Sequence, residues 1–89
     1  MKKILVVDDD KSIRLVLSTA LTRSGFLVKT SATTAGFWSL LNDDEFDVMI
    51  TDVGLPDGDT LDVLPKIQNL NPKMKIIVIS AKSTLITAV

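Results

Sequence analysis

The chain of 89 residues is long enough to bury one hydrophobic core, so we expect a single domain. Ten Lys and Arg residues against eleven Asp and Glu residues leave a net charge of -1, which offers no broad electrostatic attraction to nucleic acid or to an anionic membrane. Neither cysteine nor histidine occurs, which excludes disulfides, thiolate nucleophiles, Cys/His zinc sites and His-dependent triads within this sequence. Its chemistry must therefore rest on carboxylates, hydroxyls and lysines.

The first apolar run predicts a buried strand over residues 3–7, because it is rich in β-branched residues and does not alternate with polar ones. The run ends at Asp8, which makes it too short for the core of an export signal. No stretch of the sequence is long and apolar enough to cross a membrane. We therefore expect a cytoplasmic protein without membrane contact.

A helix is predicted next, with Asp10 as its N-cap and an apolar stripe at helical spacing formed by Ile13, Val16, Leu17, Ala20 and Leu21. Gly25 suits the left-handed position just beyond the end of that helix. A second strand is predicted over residues 26–30, and a second helix follows it with Thr33 or Thr34 as its cap. We expect the polar segment 42–45 to be the solvated end of this second helix.

The third predicted strand, residues 46–51, is again nearly continuous in apolar character and leads directly into Asp52. Proline and glycine residues predict a loop over residues 54–59, and a third helix follows the loop. A fourth strand is predicted over residues 74–79, with Ser80 at its end.

Strands that alternate with helices at this spacing form right-handed βαβ units, so the sequence predicts an α/β fold with a doubly wound parallel sheet. Functional groups in such sheets gather at the carboxyl ends of the strands, where Asp8, Asp9, Asp52 and Ser80 are expected to meet. Carboxylates collected at one edge repel one another unless a cation holds them, and a hard metal ion is the natural candidate. A solvated acidic turn that only caps a helix is the alternative explanation for residues 8–10.

Three runs of the sequence together resemble the receiver domain of two-component response regulators. They are Ile4-Leu5-Val6-Val7-Asp8-Asp9-Asp10, then Asp47-Val48-Met49-Ile50-Thr51-Asp52 followed by Pro56, and finally Ile76-Ile77-Val78-Ile79-Ser80-Ala81. The tail from residue 83 is similar to the start of the fourth helix in nitrogen-regulation (NtrC- or NtrX-type) receivers. The resemblance implies a flavodoxin-like (CheY-like) fold with the strand order 2-1-3-4, as is known for that class.

The resemblance also implies a site. Asp52 is the phospho-acceptor, which takes a phosphoryl group from a sensor histidine kinase and thereby forms an aspartyl phosphate on the domain itself, not as a turnover enzyme. Mg²⁺ is the cofactor, bound directly by Asp9, largely through water by Asp8, and also by Asp52 and the backbone carbonyl of Gly54. Ser80 is the hydroxyl that hydrogen-bonds the new phosphoryl group and shifts the loop beyond it.

Family receivers run to about 120 residues, a typical size for a small domain. The resemblance therefore implies that residues 1–89 are a receiver domain incomplete at its carboxyl end, interrupted in the fourth helix, without the fifth strand, the fifth helix and the Lys that contacts the phosphoryl oxygens. Lys82 lies in the loop after Ser80, and we do not expect it to replace that Lys. The fourth strand would then have an open apolar edge, so we expect self-association through this edge or by exchange of elements between chains.

Other classes of protein fit less well. A nucleotide-binding domain lacks support because no Gly-rich turn follows the first strand, and Asp8 to Asp10 would repel a pyrophosphate. A haloacid-dehalogenase-like phosphohydrolase needs a second Asp two residues after its nucleophile, but Gly54 stands at that position after Asp52. Asp8 and Asp10 have the required spacing but lack the rest of that pattern. A receiver remnant that binds a partner protein without being phosphorylated stays open. Direct binding of nucleic acid by this segment is not expected.

Overall fold

The computed structural model describes residues 2–52, 54–55, 58–80 and 85–88, and at 54–55, 58–62, 80 and 85–88 it describes the backbone. In chain order the elements are β1 (Lys3–Val7), α1 (Lys11–Arg23), β2 (Leu27–Ser31), α2 (Thr34–Asp43), β3 (Val48–Asp52), β4 (Gly54–Leu55), β5 (Gly58–Asp59), α3 (Thr60–Leu70), β6 (Lys75–Ser80) and β7 (Leu85–Ala88). Among these residues no helix has the length and apolar character needed to cross a membrane.

The main sheet has the strand order β2-β1-β3-β6-β7. The first four of these strands run parallel, which confirms the predicted doubly wound sheet with the order 2-1-3-4, where β6 is the fourth predicted strand. Strands β4 and β5 form a separate antiparallel ribbon that leads into α3. The parallel strands therefore bring their carboxyl ends to one edge of the sheet.

The core lies on the face of the sheet that α2 and α3 cover. Leu5, Met49 and Ile76 form one row across β1, β3 and β6, because the parallel register pairs them side by side. Phe37 of α2 and Ile67 of α3 belong to the same buried cluster. Four of the five residues of β1 are buried, as expected for a central strand that is covered on both faces.

Helix α1 is capped as the sequence predicts. The Oδ1 atom of Asp10 accepts hydrogen bonds from the N–H groups of Ser12 at 2.8 Å and Ile13 at 3.4 Å. Gly25 follows the helix with φ of 96°, in the left-handed region that glycine tolerates best. Asp10 is therefore a helix cap in this fold.

The predicted apolar stripe of α1 is only partly buried. Ile13, Leu17 and Leu21 are half-buried in the row of residues that faces the sheet, whereas Val16 is 66% exposed and Ala20 is exposed. The prediction was wrong for Val16 and Ala20, because a single helical row at i, i+4 and i+8 makes the contact with β1 and β2.

The polar segment 42–45 is more than the solvated helix end we expected. Asp44 lies 2.6 Å from the Nζ atom of Lys3 and 3.5 Å from that of Lys29, so it joins the end of α2 to the two strands β1 and β2. The hydrogen bond from Lys3 holds the pKa of Asp44 below its ordinary value. These ion pairs lie at the amino-terminal edge of the sheet, opposite the edge where Asp8 and Asp52 lie.

The described part of the tail, residues 85–88, is a strand and not a helix. Leu85–Ala88 forms β7, which pairs antiparallel with Ile77–Ser80 of β6. The prediction of a fourth helix was wrong for these residues, and so was that of an open edge along this part of β6. The physical reason is that an apolar strand edge with unpaired N–H and C=O groups favours an added strand, and the branched residues Ile86 and Thr87 suit one.

Gly36 in α2 allows the helix to approach Ser31 at the end of β2. A Cβ atom at position 36 would lie 2.2 Å from the Oγ atom of Ser31, whose hydroxyl donates to the carbonyl of Thr33 at 2.9 Å. We expect Gly36→Ala to lower the free energy of unfolding by up to about 2 kcal/mol. Crowding of the added methyl group costs ~1–3 kcal/mol, which outweighs the roughly 1 kcal/mol that Ala gains over Gly in a helix. Denaturant unfolding checks this.

The double variant Ser31→Ala/Gly36→Ala separates crowding from other effects. Removal of the hydroxyl leaves the Ser31 Cβ atom 3.4 Å from the added methyl group, a distance of ordinary contact. We expect the double variant to recover part of the loss, with a coupling of about 1 kcal/mol between the two substitutions. Strict additivity of the two single variants would contradict this explanation.

Candidate metal and phosphoryl site

Three carboxylates meet at the carboxyl edge of the parallel strands. Asp52 is the last residue of β3, and Asp8 directly follows Val7, which pairs with Thr51 in the register between β1 and β3. Asp8, Asp9 and Asp52 each place one carboxylate oxygen so that the three atoms lie within 4.8 Å of one another. The expected meeting of these carboxylates is therefore present, while the roles implied for them stay predictions.

Asp8 is the buried member of this group, with 3% of its surface exposed. Its Oδ1 atom accepts a hydrogen bond from the N–H group of Asp10 at 2.9 Å. Burial raises the pKa of Asp8 above its ordinary value, and the charges of Asp52 and Asp9 act in the same direction, whereas the hydrogen bond from Asp10 opposes them. Burial and the neighbouring carboxylates therefore both make the charged form of Asp8 less favourable.

The backbone of Asp8 is held from two further directions. Its N–H group donates to the carbonyl of Ser31, the last residue of β2, at 3.1 Å. Its carbonyl accepts a hydrogen bond from the Nη1 atom of Arg14 in α1 at 2.7 Å. Sequence reasoning missed Arg14, although a basic residue in the first turns of a helix that starts beside an acidic cluster was a visible signal.

Asp9 and Asp52 are more accessible than Asp8. Asp9 is exposed and Asp52 is half-buried. Asp10 does not belong to the trio among the described residues, because its carboxylate caps α1 instead. One buried carboxylate thus lies beside two that solvent can reach.

Ser80 and Gly54 lie near the same edge by their backbone positions. Ser80 is the last residue of β6 and directly follows Ile79, which pairs with Asp52 across the sheet. Gly54 begins β4, two residues beyond Asp52. The phosphoryl-sensing role of Ser80 and the carbonyl ligand at Gly54 stay predictions, and Lys82 lies outside the described residues.

The donor atoms fit a hard divalent cation. All three side chains offer carboxylate oxygens, which Mg²⁺ and Ca²⁺ prefer, and Mg²⁺ in particular is commonly held by one or two carboxylates plus waters and phosphoryl oxygens. The raised pKa of Asp8 indicates that its negative charge is unfavourable at this position, and a bound cation would offset that cost. This site is thus a cluster of carboxylate oxygens at the carboxyl edge of a doubly wound sheet.

Comparison with known proteins identifies the class. Residues 4–89 match the model of the response regulator receiver domain. The regulator described as "DNA-binding transcriptional regulator NtrC" of Azospirillum brasilense is 48% identical over 86 residues, which are 97% of this chain and 18% of that protein. The chain belongs to the response regulator receiver domain family, and its relatives include NtrC regulators.

Solved structures agree with this assignment. Response regulator TrrA of Thermotoga maritima, crystallised with Mg²⁺ and BeF, is 31% identical with a TM-score of 0.84, and the match covers 91% of this chain and 70% of TrrA. TrrA has also been crystallised with the histidine kinase ThkA. The receiver domain of NtrC4, described as a beryllofluoride-activated dimer, is 35% identical with a TM-score of 0.83, covering 89% of this chain and 65% of that one.

The buried carboxylate gives a prediction for stability against pH in the absence of metal. Because the pKa of Asp8 is raised in the folded chain, its contribution to the free energy of unfolding is full below the unfolded pKa of about 3.9 and is lost as pH rises through the folded value. Asp8→Asn keeps an oxygen that can accept the N–H bond of Asp10 but carries no charge. We expect this variant to be more stable than wild type at pH 7, with an advantage that shrinks on acidification.

Denaturant unfolding in a chelating buffer, at pH values from 4 to 7, measures this difference. Asp43→Asn, which removes an exposed carboxylate at the end of α2 and outside the acidic cluster, is the matched control. An Asp8→Asn variant that is less stable than wild type by the same amount at every pH would contradict the assigned electrostatic cost.

Proposed function

We propose that this chain is the phospho-acceptor receiver of a two-component response regulator, with Asp52 as the residue that is phosphorylated. The observation that carries the proposal is the meeting of Asp8, Asp9 and Asp52 within 4.8 Å at the carboxyl edge of the sheet. Membership of the receiver family supports it, as does the position of Asp52 at the end of the central strand β3.

The chemistry of transfer follows from the position of Asp52. A carboxylate oxygen attacks the phosphorus of a phosphohistidine in line with the leaving imidazole, so an O–P bond forms while the P–N bond breaks and its electron pair stays on the imidazole nitrogen. The backbone of β3, paired with β1 on one side and β6 on the other, fixes Asp52 for this attack.

Asp8, Asp9 and Asp52, with the backbone carbonyl of Gly54, would hold Mg²⁺ at this edge. The ion, when bound, supplies positive charge between the carboxylates and the oxygens of the phosphoryl group. The chain's own part is to hold the buried carboxylate of Asp8 in place through the N–H group of Asp10, beside the more accessible Asp9 and Asp52.

Ser80 is proposed to sense the modification. It ends the strand next to β3, one residue beyond the partner of Asp52, so its backbone lies at the edge where we propose that the phosphoryl group forms. A hydrogen bond from Ser80 to that group would pull on the backbone at the end of β6. A local change of charge would thereby become a change of backbone position.

The partners of the chain follow from the same role. We propose a sensor histidine kinase as the phosphoryl donor, as TrrA has been crystallised with a histidine kinase. The chain spans 18% of the length of the NtrC regulator that it matches, and we propose that it serves as the receiver segment in regulation of transcription. A cytoplasmic location is consistent with that role, and contact with DNA is not assigned to this segment.

The decisive experiment is incubation with acetyl phosphate and Mg²⁺, followed by intact-mass measurement. We expect a single phosphoryl adduct on wild type and none on Asp52→Asn. Asp43→Asn, which changes an exposed carboxylate at the end of α2, is the matched control and should be phosphorylated as wild type is. No adduct on wild type would favour a receiver remnant that binds a partner without being phosphorylated.

Self-association is a separate part of the proposal. β7 pairs with β6 over Ile77–Ser80, so this part of the β6 edge is not free to pair with a second chain. We therefore propose that two chains associate by exchanging β7. Sedimentation at micromolar concentration is expected to show a dimer. A clean monomer over the same range of concentration would contradict self-association without affecting the assignment of Asp52.

A further inference from the structure

We propose that Arg14 is a positioning residue of the acidic site, which holds the turn between β1 and α1 in the geometry that binds a divalent cation. The inference rests on the proposed metal role of Asp8, Asp9 and Asp52. Its observation is the hydrogen bond of 2.7 Å from the Nη1 atom of Arg14 to the backbone carbonyl of Asp8. A bond of this length from a charged guanidinium is among the stronger hydrogen bonds in proteins.

The position of Arg14 in α1 makes this contact possible. Asp10 is the N-cap, so Arg14 is the first residue whose N–H group closes a helical hydrogen bond, to the carbonyl of Asp10 at 3.1 Å. Its backbone is therefore fixed by the helix. Long side chains in a helix point back toward the amino terminus, which directs the guanidinium of Arg14 toward the turn that carries Asp8 and Asp9.

The contact completes the restraint of Asp8. The carbonyl of Asp8 lies one residue beyond the end of β1, and the guanidinium provides its donor in a half-buried position. Together with the N–H bond to Ser31 and the carboxylate bond from the N–H of Asp10, it holds the backbone and the side chain of Asp8 at once. Asp9 is the next residue, so the fixed backbone of Asp8 also restricts the orientation of Asp9.

Arg14 also joins two parts of the fold at this point. Ser31 fixes Asp8 to β2, whereas Arg14 fixes it to α1, a helix that buries none of its side chains fully. Without the guanidinium, the turn would lose its side-chain bond to the body of α1. We infer that the distances between the carboxylate oxygens then vary more from molecule to molecule. A cation therefore binds more weakly, although every ligand is still present.

The test compares Arg14→Ala, Arg14→Lys and Lys11→Ala. Lys11 is exposed in the first turn of the same helix, so its loss removes a positive charge near the cluster and leaves the bond to Asp8 intact. We expect Arg14→Ala to weaken Mg²⁺ binding about 10-fold by calorimetry, the lower end of the effect of outer-shell partners. Arg14→Lys should recover part of the affinity, and Lys11→Ala should change it little.

A measurement on metal-free protein tests the positioning role of Arg14 separately from the proposed function. In metal-free protein we expect Arg14→Ala to speed amide hydrogen exchange at Asp10, whose N–H group bonds to the Asp8 carboxylate, while Val6 in the centre of β1 keeps its protection. Unchanged exchange at Asp10 would overturn the positioning role, as would equal Mg²⁺ affinities of wild type and Arg14→Ala. The loss of Mg²⁺ affinity in Asp9→Ala provides the reference value for a missing ligand. If wild type itself does not bind Mg²⁺, the metal site is overturned, and this inference with it.

Discussion

The structure depends on one electrostatic constraint: the parallel strands bring several carboxylates to the same edge of the sheet, where they repel one another. The constraint begins in the backbone, since the register that pairs Val7 with Thr51 also places Asp8 beside Asp52. Burial raises the pKa of Asp8, and the charges of Asp52 and Asp9 act in the same direction. A cluster that is unfavourable in the bare chain is suited to bind a divalent cation, because the charge of the cation offsets the repulsion between the carboxylates.

The surrounding fold holds this unfavourable site in place. The row of Leu5, Met49 and Ile76 across β1, β3 and β6 belongs to the buried core of the sheet, while the ion pairs of Asp44 with Lys3 and Lys29 join α2 to the edge opposite the acidic site. Acidic groups occur at both edges of the sheet, but they differ in their surroundings. Asp44 has lysine partners and a lowered pKa, whereas Asp8 has other carboxylates as its neighbours and a raised one. This contrast distinguishes a structural carboxylate from one that is available for chemistry.

Much of the fold and the site could be predicted from the sequence because the relevant signals are local. Continuous apolar runs mark the central strands, the Asp10 cap and Gly25 delimit α1, and the carboxyl-edge rule brings Asp8, Asp9 and Asp52 together. The errors concern contacts between distant residues. The partners of Asp44, the exposure of Val16 and the pairing of β7 with β6 depend on which surfaces meet, and no local pattern encodes that. Arg14 was missed for a different reason: it stands only six residues from Asp8, but its partner is a backbone carbonyl, which side-chain patterns do not show.

The central claim is that the carboxyl edge, and not the acidic segment at the other edge, binds the divalent cation. Titration with Mn²⁺, which shares the oxygen-ligand preference of Mg²⁺, while the amide resonances are followed by NMR tests this claim most directly. The account predicts that paramagnetic broadening appears first at Asp8, Asp9 and Asp52. Broadening that appears first at residues 43–47, or equally at both edges, would contradict it.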